Sequence, residues 1–276
     1  MSREPSLIDL SRHAFYKFLM SKLLNFIAFL SFTFLILGCS TTGTTGTNDP
    51  KDSLSAKDYF DQGLHAKEKK KWEEAVDRFE TVKYRFPLSN YTKQAELEIA
   101  DIHFQQKEWV EARTAYEIYK KFHPRDNELP FVLYRVGLTY FYEMPSSIDR
   151  DVEPIEKTVE ACDDFLKKYP NSQYADDARN KRNKARSKLA ERSLYVAHYY
   201  NKKKSYGAAL GRALEVLEQY SDTDQLEEAY FYVIFSYDKL GNKGKAQKYY
   251  NQMLQKFPQS KFAPKFKDLK LETTGS

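Results

Sequence analysis

The sequence predicts an all-α fold in which five helix pairs stack into a solenoid, and three observations support this. First, a phrase that opens on Trp and closes on Pro occurs twice, as WEEAVDRFETVKYRFP from Trp72 and as WVEARTAYEIYKKFHP from Trp109. Second, weaker copies occupy residues 155–170, 206–221 and 243–258. Third, the 276 residues include only 10 Gly while 30% are charged. That composition favours long solvated helices over a β-sandwich or barrel.

Residues 1–38 are predicted to be a signal peptide and are left out of the fold. Residues 23–37 form an apolar run that follows Lys22. The run is shorter than the roughly 20 residues that a spanning helix needs, and it is typical of a secretory signal. The segment starting at Met20 has the form of a normal signal peptide, so Met20 is an alternative start.

The apolar run ends in Ile36-Leu37-Gly38-Cys39, which resembles the lipobox of bacterial lipoproteins. The resemblance implies cleavage before Cys39 and lipid attachment to it, and Ser40 in the next position implies delivery to the outer membrane. The alternative is an uncleaved membrane anchor with an incidental cysteine. Apart from this covalent lipid, we expect no cofactor.

Residues 39–52 comprise the lipidated cysteine and a linker rich in Thr and Gly, which cannot bury a core. We expect a flexible tether with a root-mean-square reach of about 20 Å. The chain that begins at Cys39 carries 40 basic and 37 acidic residues. Interspersed charges in near balance argue against binding to nucleic acid.

Small and aromatic residues recur at fixed positions within each repeat. In the first repeat these are Gly63, Ala75 and Phe79, and Pro87 closes it. The pattern resembles the tetratricopeptide repeat, which implies a right-handed superhelix. The predicted repeats are residues 56–89, 90–126, 127–172, 173–223 and 224–260, and they lie in a repeat region, residues 53–269, that ends in a short cap and is followed by a tail, residues 270–276.

The small residues are predicted to let the two helices of a pair approach closely, and the closing Pro to turn the chain into the next pair. On first helices they are Gly63, Ala100, Gly137 and Ala197, and on second helices they are Ala75, Ala112, Ala209 and Ala246.

Two segments break the repeat spacing. Residues 144–154 are predicted to form a loop inside the third repeat, and the first helix of the fourth repeat is lengthened to span residues 174–202. The first part of that helix reads as polar nearly all round, so we expect it to extend into solvent or to lie along a partner.

Several motifs accompany the repeats, and together with the lipobox they resemble the BamD family, the lipoprotein subunits of the β-barrel assembly machinery. They are an Asp-Arg-Asp loop at Asp149, Arg150 and Asp151, then YPNSQY at 169–174, VAxYY at 196–200 and YxDT at 220–223.

This resemblance implies a non-enzymatic scaffold on the periplasmic face of the outer membrane. Its partners would be the POTRA region of BamA, the other Bam lipoproteins and unfolded outer-membrane proteins, which it would help to recruit and insert. Arg212 matches a family arginine that takes part in the BamA contact. Ser221 departs from the family because a Pro is usual there.

A peptide groove is predicted along the first helices of repeats one to three, since aromatic side chains with a few polar groups suit an extended peptide. The alternative is that some of these residues only pack between repeats. The expected lining is Lys57, Phe60, Leu64, Gln94, Leu97, Asp101, Phe131, Tyr134 and Tyr142.

The sequence offers little sign of catalysis or of a metal site. Its five His residues form no pair at ligand spacing. Cys162 occupies a core position of the repeat and is predicted to be a buried thiol. The two Asp residues of the 149–151 loop more often cap the next helix or make local ion pairs than catalyse, so we expect them to order the loop or to contact a partner. Two alternatives to the Bam role remain: a periplasmic tetratricopeptide lipoprotein that acts as a cell-division or peptidoglycan-linked adaptor, and a repeat domain that presents a murein enzyme.

Overall fold

The structure is a computed structural model that describes residues 54–149 and 151–266. Over those residues it contains ten α-helices, one 3-10 helix and no strand. The helices are α1 Ala56–Glu68, α2 Trp72–Arg85, α3 Asn90–Gln105, α4 Trp109–Phe122, α5 Leu129–Glu143, α6 Glu153–Lys168, α7 Ala175–Lys202, α8 Tyr206–Gln219, α9 Leu226–Lys239 and α10 Lys243–Lys256, and the 3-10 helix is Ala263–Phe266.

Each helix packs against the next along the chain, and odd-numbered helices also contact the odd-numbered helix of a neighbouring pair. The odd helices therefore form one layer and the even helices the other. This arrangement confirms the predicted all-α tetratricopeptide-repeat solenoid. No described helix is long and apolar enough to cross a bilayer.

The small residues lie where the helices of a pair meet. A side-chain carbon built on Gly63 in α1 would stand 2.6 Å from Cε1 of Phe79 in α2, so the first pair packs as closely as glycine allows. At Gly137 the nearest atom is Sγ of Cys162 at 3.6 Å, which is ordinary contact. Six alanines at equivalent positions are fully buried, namely Ala75, Ala100, Ala112, Ala197, Ala209 and Ala246.

Four turns from an odd to an even helix share one geometry. Residues Lys70, Lys107, Lys204 and Gly241 have positive φ angles of 56°, 63°, 58° and 78°. The next residue donates its backbone N–H five residues back, as Lys71 does to Ala66 at 2.9 Å. This Schellman pattern satisfies carbonyls at the helix end and reverses the chain. The turn between α5 and α6 is the exception, because the 144–152 loop replaces it.

Ser221, which stands where Pro was expected, sits in a turn held by side chains. Arg186 in α7 donates two hydrogen bonds to the carboxylate of Asp222, at 2.6 and 3.0 Å, and a third to the carbonyl of Gln219. The hydrogen bonds from Arg186 to the carboxylate lower the pKa of Asp222 from its usual value. The YxDT motif at residues 220–223 therefore makes a structural contact between α7 and the end of α8.

The start of the long helix α7 corrects the sequence-based expectation. It is not polar all round, because Ala178, Ala185 and Leu189 are buried and the helix packs against α6. Lys188 also donates to the carbonyl of Pro145 at 2.9 Å and so holds the 144–152 loop against α7. One face of this segment is therefore covered by α6, and the segment does not extend freely into solvent.

The C-terminal end of the described solenoid is covered by a short aromatic segment. Phe262 stacks on Phe231 of α9 with ring centres 4.9 Å apart, and Phe266 is buried against the same helix. The last residues of the predicted cap, 267–269, lie outside the described residues.

Candidate functional site

The predicted groove divides into a part that is core and a part that is surface. Phe60 was predicted to line the groove, but it lies in the core. Only 6% of it is exposed, and its ring centre lies 5.4 Å from that of Phe79 and 5.3 Å from that of Tyr91. Leu64 and Leu97 are half-buried against neighbouring core clusters. Phe60 and Leu64 pack in the cluster that joins the first two repeats, and Leu97 packs in the cluster that joins the second and third. All three therefore offer little to a ligand.

Two polar members of the predicted groove in the first two repeats are exposed. Lys57 pairs with Asp61 one turn along the same helix, at 2.5 Å. This hydrogen bond and the carboxylate's charge raise the pKa of Lys57. Gln94 donates a long hydrogen bond to the carbonyl of Asn90, at 3.5 Å. Exposed pairs within one helix contribute little to stability, so both side chains can be redirected to a ligand at small cost.

The surface between α3 and α5 is organised around Arg135. Its guanidinium lies 4.3 Å from the ring centre of Phe104 and 4.9 Å from that of Phe131. Asp101 stands 3.8 Å from Arg135 Nε and accepts a hydrogen bond from the Tyr116 hydroxyl. A cation on an aromatic face contributes about 0.5–1 kcal/mol at exposed sites. Because Arg135 joins α5 to α3, its partners Asp101 and Phe131 help to hold the layer of odd-numbered helices together.

Tyr134 makes the next contact along the same surface. Its hydroxyl donates to Asp177 of α7 at 2.8 Å, and its ring stacks on Tyr174 at 4.7 Å with an interplanar angle of 11°. Burial and this hydrogen bond raise the pKa of the Tyr134 phenol. Tyr174, the last residue of YPNSQY, thus connects α5 to the start of α7.

Tyr142 is the aromatic residue of the predicted groove that remains open to solvent. It is 46% exposed, stacks on Trp109 at 5.0 Å and meets the edge of Phe104 at 5.9 Å. We call Phe104, Trp109 and Tyr142 the Tyr142 cluster. Lys181 of α7 lies beside it, 6.0 Å from the Tyr142 ring centre. An open aromatic cluster with a cation at its edge can bind an apolar or aromatic side chain of an extended peptide.

The sequence reading missed Arg135, Phe104 and Trp109 at this surface. One available signal was the spacing of Phe131 and Arg135, which places a ring and a guanidinium one turn apart on the same helix face. No spacing within one helix could place Trp109 against Tyr142, because those residues lie in α4 and α5.

Arg212 lies on the outer face of α8, where it is 51% exposed and donates to Glu215 at 3.0 Å. It lines a cleft of about 250 Å³ between α6, α7 and α8. We call this the Arg212 cleft, and its lining includes Val152, Glu156, Leu189, Arg192, Ser193, Val196, Glu215 and Tyr220. An exposed pair three residues apart is weak, so a partner carboxylate can replace Glu215.

The Asp-Arg-Asp loop borders the same cleft. Asp151 accepts the backbone N–H of Glu153 at 3.0 Å, which satisfies a donor at the first turn of α6. Asp149 accepts a hydrogen bond from the Ser147 hydroxyl. The two carboxylates therefore help to order the loop, and Val152 at the end of the loop lines the cleft. Arg150 lies outside the described residues.

Cys39 likewise lies outside the described residues, so its lipidation remains a prediction. Within residues 54–149 and 151–266, no group of three His, Cys, Asp or Glu residues is placed to hold a metal ion.

Cys162 is buried in α6, and burial raises its pKa to about 12 from an ordinary 9.0. Near neutral pH the thiolate fraction is then about a thousandfold lower than for an exposed cysteine. We expect iodoacetamide to leave Cys162 unmodified in the native protein and to label it in denaturant, as intact-mass spectrometry would show. Rapid labelling without denaturant would mean that α6 opens readily.

Comparison with known proteins matches residues 52–252 to the family described as YfiO, outer membrane lipoprotein. A relative from Neisseria meningitidis serogroup A, named outer membrane protein assembly factor BamD, is 29% identical over 240 residues, which cover 82% of this chain and 90% of the relative. A protein of the same name from Rickettsia prowazekii is 28% identical over 229 residues, covering 83% and 91%. Among solved structures, the TPR2AB domain of yeast Sti1 is 14% identical with a TM-score of 0.39, covering 74% of this chain and 78% of that one.

Proposed function

Because the chain belongs to the YfiO family of outer membrane lipoproteins, we propose that it is a subunit of the β-barrel assembly machinery. In this role it is a lipid-anchored scaffold on the periplasmic face of the outer membrane. It binds BamA and the other Bam lipoproteins, and it helps to recruit and insert nascent outer-membrane β-barrel proteins. No catalytic step is assigned to it, and no cofactor beyond the lipid on Cys39.

The observation that carries this proposal is the extent of the family match. It runs from residue 52 to residue 252 and so includes α1 to α9 and most of α10. The relatives named as assembly factors are covered over about nine tenths of their length. A match of this extent includes the 144–152 loop and the long helix α7 as well as the repeats.

Within this function, the Arg212 cleft is the proposed contact with BamA. Three helices and the 144–152 loop converge there, so a partner seated in the cleft would touch several parts of the solenoid at once. Arg212 is exposed and weakly paired, which suits it to a carboxylate on BamA. The Tyr142 cluster lies on the α3 and α5 side and is the proposed contact for extended segments of unfolded outer-membrane proteins.

We expect Arg212→Glu to weaken co-purification with BamA from detergent extracts by about thirtyfold, because losing one partner of a buried hydrogen-bonded charge pair costs about 2 kcal/mol or more and charge reversal adds repulsion. Arg179→Glu is the matched control, since Arg179 is 44% exposed and also pairs with an acidic residue three positions away. Equal recovery of BamA with both variants would contradict the assignment of Arg212.

A further inference from the structure

We propose that one edge of the solenoid rests on the phospholipid surface of the membrane that holds the anchor. This edge consists of residues 81–93 and 118–125, which end α2 and α4 and begin α3, and we call it the tether-side edge. The inference goes beyond partner binding and rests on the proposed lipid attachment at Cys39.

Side-chain contacts place these segments beside the point where the tether joins the fold. Arg85 donates to the hydroxyl of Tyr59, in the first turn of α1, at 3.1 Å. Lys93, near the start of α3, pairs at 2.5 Å with Asp126, which lies in the connection between α4 and α5. The start of α1 and the first two even-to-odd turns therefore lie along one edge, and the linker enters the fold there at Leu54.

Three large apolar side chains along this edge are more than half exposed. Tyr84 is 79% exposed, Leu88 is 99% exposed and Phe122 is 67% exposed. Single exposed apolar residues are common on soluble proteins, but here three occur on two neighbouring turns. Among the described residues, no other even-to-odd turn carries an apolar side chain of comparable size and exposure.

Basic side chains lie close to two of the three apolar ones, Tyr84 and Phe122. Residues 81–93 contain three Lys or Arg and no Asp or Glu, and residues 118–125 have the same balance. Lys121 lies 6.0 Å from the ring centre of Phe122, and no described carboxylate pairs with it or with Arg125. Farther along the edge, the turn at residues 217–225 is acidic instead, with Glu218, Asp222 and Asp224.

This combination fits the interfacial region of a bilayer that contains anionic phospholipid. Aromatic and aliphatic side chains enter the boundary between headgroups and acyl chains, while Lys and Arg reach the phosphates. Two observations favour a lipid surface: the basic side chains complement anionic phosphates, and the linker joins the fold beside this edge. A tether with a reach of about 20 Å keeps this edge close to the surface in which the acyl chains are inserted. A shallow apolar contact of this kind also limits the orientations of the solenoid below the membrane.

A photocrosslinking experiment tests the proposal on the full-length lipidated protein. A benzophenone amino acid replaces Leu88 or, as the control, Leu240, which is 51% exposed in the turn after α9 on the opposite edge. The protein is reconstituted into vesicles of phosphatidylethanolamine with phosphatidylglycerol. We expect the probe at position 88 to form lipid adducts and the probe at position 240 to form few.

Neutralising the cations then tests the electrostatic part. Each of Lys121→Gln and Arg125→Gln should lower lipid adducts at position 88 by up to about fivefold, and vesicles without phosphatidylglycerol should do the same. Equal adducts at positions 88 and 240 in anchored protein would overturn the edge contact while leaving the anchor intact. In native membranes, capture of a protein instead of lipid at position 88 would also overturn it. Failure of the protein to fractionate with membranes would remove the anchor and this inference together.

Discussion

Gly63→Ala is expected to lower the free energy of unfolding of the first helix pair by about 1–3 kcal/mol. The added carbon would meet Cε1 of Phe79 at 2.6 Å, with two further ring atoms at 2.9 Å. Phe79 is fully buried and packs against Phe60, so its ring has little room to move. The higher helix propensity of Ala, worth up to about 1 kcal/mol, does not offset this clash.

Gly211→Ala is the matched control, because Gly211 is an exposed residue in the interior of α8 with nothing within 4 Å of the added carbon. The same substitution there should stabilise the protein by up to about 1 kcal/mol. Thermal unfolding measures the total effect, and amide hydrogen exchange in α1 and α2 localises it. A stabilising effect at both glycines would mean that α1 and α2 do not approach as closely as described.

Cys39→Ala is expected to remove the protein from the outer membrane. Without the thiol no acyl chain can be attached, and each buried CH₂ contributes about 0.8 kcal/mol to membrane binding. We expect the share of protein in the outer-membrane fraction to fall by about a hundredfold or more. Density-gradient fractionation measures this loss, and mass spectrometry of the N-terminus shows whether cleavage before position 39 is lost as well.

Cys162→Ala serves as the control for the anchor, since Cys162 is buried within the fold and lies far along the chain from the lipobox. That variant should stay in the outer-membrane fraction, although its core loses a buried sulfur. An unlipidated Cys39 in the wild-type protein would refute the proposed anchor directly.

The repeat itself could be predicted because its residues are local and periodic. Ala75, Ala112, Ala209 and Ala246 recur at the same place in their helices, and all four are fully buried. A small residue that returns at a fixed spacing predicts a helix contact whatever surrounds it. The turn geometry at Lys70, Lys107 and Lys204 had no such signal, because Lys does not favour positive φ, whereas the equivalent Gly241 does.

The candidate surfaces were harder to predict because they depend on how neighbouring helices are rotated. Phe60 and Tyr142 both read as groove aromatics, yet Phe60 is in the core and Tyr142 is on the surface. The buried stripe on α7 was missed for a different reason. It is built largely of Ala178 and Ala185, whose weak hydrophobicity is hidden among many charges.

The central claim is that this chain is the scaffold of the machinery that inserts β-barrels. The most direct test is affinity purification of the full-length lipidated protein from detergent-solubilised outer membranes, with its partners identified by mass spectrometry. We expect recovery of BamA in roughly equal amount, accompanied by other Bam lipoproteins. Recovery of a murein hydrolase or a Tol protein without BamA would contradict it.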